Sequence, residues 1–150
     1  MKEPLLAELK THLEFLGYEV SVDKDGDIQA LHVRHFNSTV IEYQSGVLFV
    51  VAFGGMEVEE SKAVEVLREI NNFNAASALT MGYLNKTQSV IITAWYPLPY
   101  NKACFSTFIE QFHREQTKFS VTKILDLTKP KVEGAAPAEP SDQVSSAKVD

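Results

Sequence analysis

Cysteine occurs once in these 150 residues, at Cys104, and apolar runs are short. Each shortage excludes something. A lone cysteine leaves no intramolecular disulfide and no multi-cysteine metal site, and it points to a reducing, cytoplasmic setting. No segment approaches the ~20 apolar residues of a membrane span. The start, Met1-Lys2-Glu3-Pro4, offers just Leu5-Leu6 before Glu8, short of the roughly 7–15 apolar residues of a secretory signal. Basic residues are also scarce. Fourteen Lys+Arg stand against 20 Asp+Glu, a net charge of −6, whereas a phosphate backbone requires concentrated Lys and Arg. Neither nucleic acid nor a membrane is an expected partner.

What is present describes one domain. The sequence is 45% hydrophobic and 23% charged, enough apolar material for a single core. Residues 129–150 differ, with three of the six prolines and no aromatic residue. Such a segment cannot bury enough apolar area to offset an ordering cost of about 1–2 kcal/mol per residue. A folded unit over 3–128 and a disordered Pro/Ala-rich tail over 129–150 are expected.

Periodicity places the elements. Leu5, Leu6, Leu9, Leu13 and Leu16 recur every three or four residues, which predicts a helix stopped by Gly17. Tyr18–Val22 and Ile28–His35 read as strands around the turn-forming Asp23-Lys24-Asp25-Gly26-Asp27. Thr39–Tyr43 and Val47–Phe53 follow across Gln44-Ser45-Gly46. A second helix is expected over Val58–Asn74, with Ala63, Leu67, Ile70 and Asn74 on one side and Val66 and Phe73 beside them. Leu79–Leu84 and Ser89–Tyr96 make a second hairpin. Asn101 then caps a third helix with Phe105, Phe108, Ile109 and Phe112 on its inner face. Val121–Leu127 is expected as a short extended segment. The order α-β-β-β-β-α-β-β-α describes an α+β domain with a mostly antiparallel sheet and three helices.

Two strands are apolar on both faces. Val47, Phe49, Val51 and Phe53 alternate with Leu48, Val50 and Ala52, while Val90, Ile92, Ala94 and Tyr96 alternate with Ile91 and Trp95. A sheet with one wet face normally alternates apolar and polar residues. Three helices cover one face, so the other is expected to meet a partner. Leu48, Val50, Ile91 and Trp95 are the candidate partner or dimer surface.

Catalytic and metal signatures are weak. Counting from Asp23, the position where a calcium loop needs its closing Glu holds Arg34. His32 and His35, three apart on one expected strand, should point to opposite faces. His12 and His113 belong to separate expected helices and form no HExxH motif. Cys104 has no evident activating base and is expected buried or partly buried. Gly54-Gly55 lacks the Lys-Ser/Thr of a phosphate loop. The amides of Ile70-Asn71-Asn72-Phe73-Asn74 are read as a cap or turn. No cofactor, metal or catalytic residue is expected.

With these elements placed, the chain resembles the YbjN family, described as bacterial sensory-transduction regulators, and the wider type III secretion chaperone-like fold. The resemblance rests on Leu16-Gly17-Tyr18-Glu19-Val20, Asp25-Gly26-Asp27, Gly46-Val47-Leu48-Phe49-Val50, Ile70-Asn71-Asn72-Phe73-Asn74 and Leu79-Thr80-Met81-Gly82-Tyr83-Leu84. It covers about residues 3–116. It implies a small acidic module that pairs with itself and handles other proteins, with no catalytic residues to carry over. The expected function is a non-enzymatic protein-binding module, chaperone-like or regulatory, acting as a homodimer, with strand addition at an open sheet edge as one way to hold a client. The alternative is a small-molecule sensor or small enzyme with an apolar, aromatic-lined pocket.

Overall fold

A computed structural model describes residues 3–53, 56–86, 89–120 and 123–130. The chain runs α1 (Glu3–Phe15), β1 (Glu19–Val22), β2 (Ile28–Leu31), β3 (Ser38–Tyr43), β4 (Gly46–Ala52) and β5 (Met56–Val58). A 3-10 turn (Glu60–Lys62) then leads into α2 (Ala63–Ala76), β6 (Thr80–Leu84), β7 (Val90–Pro97), α3 (Lys102–Ser120), α4 (Lys123–Asp126) and β8 (Thr128–Pro130). Six strands form one antiparallel sheet in the order β1-β2-β3-β4-β7-β6, and β5 pairs with β8 apart from it. The fold is α+β, with the expected order of major elements.

The core lies between one sheet face and the helices. Val40, Val47, Phe49, Val51, Val90, Ile92, Ala94 and Tyr96 all point to this side and are buried. Phe105, Phe108 and Phe112 of α3 sit one helical turn apart and meet the Phe49 ring at centroid distances of 5.9, 5.3 and 5.6 Å. These tilted and edge-on contacts are the arrangements aromatic pairs favour. From α1, Leu9 and Leu13 reach the same core, and Gly17 ends the helix with φ +93°, a conformation that suits glycine.

Several elements depart from expectation. The second helix begins at Ala63 because Met56–Val58 pairs as β5 with β8. Its buried stripe is Val66, Ile70 and Phe73, while Leu67 is 44% exposed; the helix is rotated so that the 66-70-73 face meets the sheet. The expected extended segment over Val121–Leu127 is instead helical at Lys123–Asp126, where the Leu127 N–H donates to the carbonyls of Lys123 and Ile124 and Ile124 is buried. Ordered pairing reaches Pro130, two residues into the expected tail. Residues 131–150 lie outside the described residues.

One carboxylate joins these layers. Glu115, 4% exposed on α3, accepts from the backbone N–H groups of Ala78 (3.2 Å), Leu79 (3.2 Å) and Thr80 (2.8 Å). It also accepts from the Thr80 hydroxyl (2.7 Å) and the Gln111 amide (3.1 Å). Burial alone would raise its pKa, but these donors outweigh it and hold the carboxyl below its ordinary value. Nearby, Asn74 donates to the Gly82 carbonyl and accepts from its N–H at 2.9 and 2.7 Å. The asparagine run, expected as a cap or turn, lies inside α2, which continues to Ala76, and Asn74 ties the helix to β6 instead. Together they cover the outer edge of β6. We expect Glu115→Ala to lose about 3 kcal/mol or more in urea unfolding, because buried donors are left unpaired. Glu115→Gln, which retains an acceptor, should lose less; a loss under about 1 kcal/mol for the alanine variant would show that water replaces the carboxylate.

Candidate functional site

Among the described residues, the outer face of β3, β4, β7 and β6 carries no charged side chain. Strand register aligns Thr39, Val50, Thr93 and Met81 in one row, Ile41, Leu48 and Trp95 in the next, and Ala52, Ile91 and Tyr83 in a third. Four strands about 4.8 Å apart and about five residues long outline roughly 300 Å², the scale at which apolar patches on monomers are often functional. Trp95 is 40% exposed, Met81 61% and Tyr83 42%.

The four residues singled out from sequence share this face but differ in availability. Leu48 lies opposite Trp95, and Val50 is one row away opposite Thr93. Leu48 and Val50 are half-buried. Ile91 faces the same side but is buried within the chain. Trp95 is also positioned: its indole N–H donates to the Tyr43 carbonyl at 3.3 Å. The ring lies over Gly46, where an added Cβ would come within 2.5 Å of the indole nitrogen. Glycine is therefore required at Gly46 by a close approach. Ile41, Met81 and Tyr83 extend the patch beyond the sequence reading. Alternation in β6 was the signal for Met81 and Tyr83, which flank the inward Gly82.

The histidines are arranged differently from the sequence expectation. β2 ends at Leu31, so His32 and His35 lie in the connection to β3 and need not occupy opposite faces. Their ring centroids are 4.5 Å apart, and His35 stacks on His113 of α3 at 3.6 Å and 12°. The Tyr18 hydroxyl bonds His113 Nε2, and the His32 ring meets Tyr18 edge-on at 4.9 Å. Arg34 donates its backbone N–H to His32 Nδ1 at 3.0 Å. Stacked parallel rings cannot direct their lone pairs at one ion, and no metal-holding group of three such residues occurs among the described residues. Burial pushes His113 down to about 4, with His35 and His32 adding to the effect. Burial, then His32 and Arg34, lowers His35 as well.

A separate cleft of about 530 Å³ lies beside α1, with Glu8, Thr11, His12, Phe15, Tyr100 and Lys102 in its wall. His12 is buried and bonds the Tyr100 hydroxyl through Nδ1 and Ser106 Oγ through Nε2, the latter at 3.0 Å. Ser106 donates to the Lys102 carbonyl at 3.2 Å. The histidine therefore satisfies its polar atoms locally, and burial followed by the Lys102 charge lowers its pKa. Cys104, expected buried, is exposed on the solvent side of α3. Its backbone N–H is capped by the Asn101 side chain at 3.0 Å, as the sequence predicted for Asn101. Asp23 also behaves as a turn residue: its carboxylate accepts the N–H groups of Asp25 and Asp27 and the Gln29 amide, each at 3.0 Å.

No family model and no curated protein matches the sequence. Solved structures do. YbjN from E. coli, a candidate transcription regulator, matches over 83% of this chain and 95% of its own, with a TM-score of 0.65 at 16% identity. A chain of the heterodimeric ExoU–SpcU complex, from the type III secretion system of Pseudomonas aeruginosa, covers 81% of this chain and 98% of its own. Its TM-score is 0.57 at 12% identity. The fold is YbjN-like and type III secretion chaperone-like. No described helix is long and apolar enough to cross a membrane.

The histidine cluster has a pH consequence. Folded His113 titrates near 4 and its ordinary value is 6.5, so the unfolded state takes up the proton first. Its contribution is complete above the ordinary value and is lost as pH falls from about 6.5 toward 4. We expect the urea midpoint of the parent to fall more steeply over that window than that of His113→Gln. Equal slopes would assign the acid sensitivity to other groups.

Proposed function

We propose that the chain is a non-enzymatic protein-binding module, chaperone-like or regulatory, which works as a homodimer paired through the open face of its sheet. The observation that carries this reading is the uncharged apolar surface around Leu48, Val50 and Trp95 on a chain of net charge −6. Two copies of an acidic protein repel, and contact through an uncharged face avoids placing like charges together. Burial of Trp95, Met81 and Tyr83 would supply the apolar core of such an interface. The likeness to a regulator and to a chain of a secretion complex is consistent with a protein partner. An exposed thiol at Cys104 fits a reducing, cytoplasmic compartment. At the β6 edge, strand addition would have to displace Glu115 and Asn74, which favours the face over that edge.

The test is light scattering across a concentration series, with circular dichroism as the folding control. The parent should be a dimer. Trp95→Asp and Val50→Asp should each shift it toward monomer while preserving the helical signal, since a buried unpaired charge at an interface is strongly unfavourable. A parent that remains monomeric at high concentration would remove the dimer from the proposal.

A further inference from the structure

The cleft of about 530 Å³ beside α1 plays no part in pairing through the sheet face. Its volume falls within the roughly 300–1,000 Å³ of small-molecule sites. Glu8, Thr11 and Phe15 recur at helical spacing, so one face of α1 forms a wall. Tyr100, just before α3, and Lys102, at its start, form the facing wall. His12 lines the cleft as well, but it is buried and both its ring nitrogens are taken, by Tyr100 and Ser106. The histidine therefore shapes the cleft and offers no polar atom to a ligand.

The accessible groups carry opposite charges at two ends. Glu8 is exposed and has no ion-pair partner among the described residues, whereas Glu14 on the same helix pairs with Lys10 at 3.8 Å. At the other end, exposed Lys102 holds Nζ 5.2 Å from the centre of the Phe15 ring. Glu8 and Phe15 are seven positions apart, a distance of about 10 Å along the helix axis. An extended chain advances about 3.4 Å per residue, so about three residues bridge the two charges. Between them lies exposed Thr11, whose hydroxyl both donates and accepts and so suits a peptide group. Ala7 and Phe15, the latter 76% exposed, supply apolar surface.

We propose that this cleft binds a free tripeptide in zwitterionic form, with its ammonium on Glu8, its carboxylate on Lys102 and an apolar side chain against Phe15. The spacing selects the class. A single amino acid is too short to meet both charges, and an internal stretch of a protein carries neither. The cleft lies on the helical side of the sheet, away from Trp95 and Leu48. Its occupancy is therefore independent of the dimer reading, and failure of either leaves the other standing.

The experiment is a nuclear magnetic resonance titration of the full-length, ¹⁵N-labelled protein at pH 7 with trialanine. N-acetyltrialanine, trialanine amide and free alanine serve as controls. A ligand held by two exposed charges binds in the millimolar range. Trialanine should saturably shift the backbone amide signals of Thr11 and Lys102. Blocking either end of the peptide, or shortening it to alanine, should weaken binding about three- to fivefold, as should Glu8→Gln or Lys102→Gln. Both positions are exposed, so neither substitution opens the core. The pairing of losses assigns each end: Glu8→Gln should bind trialanine and N-acetyltrialanine alike, and Lys102→Gln should bind trialanine and its amide alike. A purely structural role for either residue would leave that discrimination intact. Absence of a saturable shift at tens of millimolar peptide, equal binding of the blocked peptides by the parent, or variants that discriminate as the parent does would overturn the proposal.

Discussion

Glu115 sets the relation between sheet and helices. A carboxylate 4% exposed survives because five donors converge on it, three of them from the backbone leading into β6. An ionised group removed from water needs such complete pairing. The requirement fixes α3 against the start of β6, and α2 is held to the same strand by Asn74. With α1 against β1 and β2, the helices are committed to one side of the sheet.

That commitment creates the open face. The inner side buries the Phe49 cluster, but Leu48, Val50 and Trp95 belong to the same two strands and must point the other way. Among the described residues, Trp95, Met81 and Tyr83 are left far more exposed than the Phe49 cluster. Closing the β6 edge also has a directional effect. It withdraws backbone groups that would otherwise template another strand, leaving side-chain contact across the face as the available mode there.

The helix side carries a different kind of incompleteness. His32, His35, His113 and Tyr18 bring three imidazoles and a phenol together, and burial lowers the pKa of His113 and His35. On the same helix as His113, Gln116 keeps two buried polar atoms unpaired. Natural proteins tolerate local costs of this kind most often where function requires them.

Legibility in the sequence followed the range of the interactions. Helix stripes and strand alternation depend on neighbours three, four or two residues away, so α1, α3, both hairpins, the Asp23 turn and the Asn101 cap were all readable. The outer position of Leu48, Val50 and Trp95 followed from period two alone. Rotation of α2 toward Val66 and Phe73 was not readable, because Ala63 and Leu67 form an equally apolar stripe until a sheet is present to choose between them. Nor was the histidine cluster, which depends on β2 stopping at Leu31 and on α3 passing 78 residues later in the chain at His113. The sequence by itself determined the α+β class and an acidic chain with apolar residues on both sides of two strands, since those are matters of composition and local period. Tertiary structure decided which of those side chains are covered, which edge is closed and which polar groups meet, because each depends on contacts between residues distant in the chain.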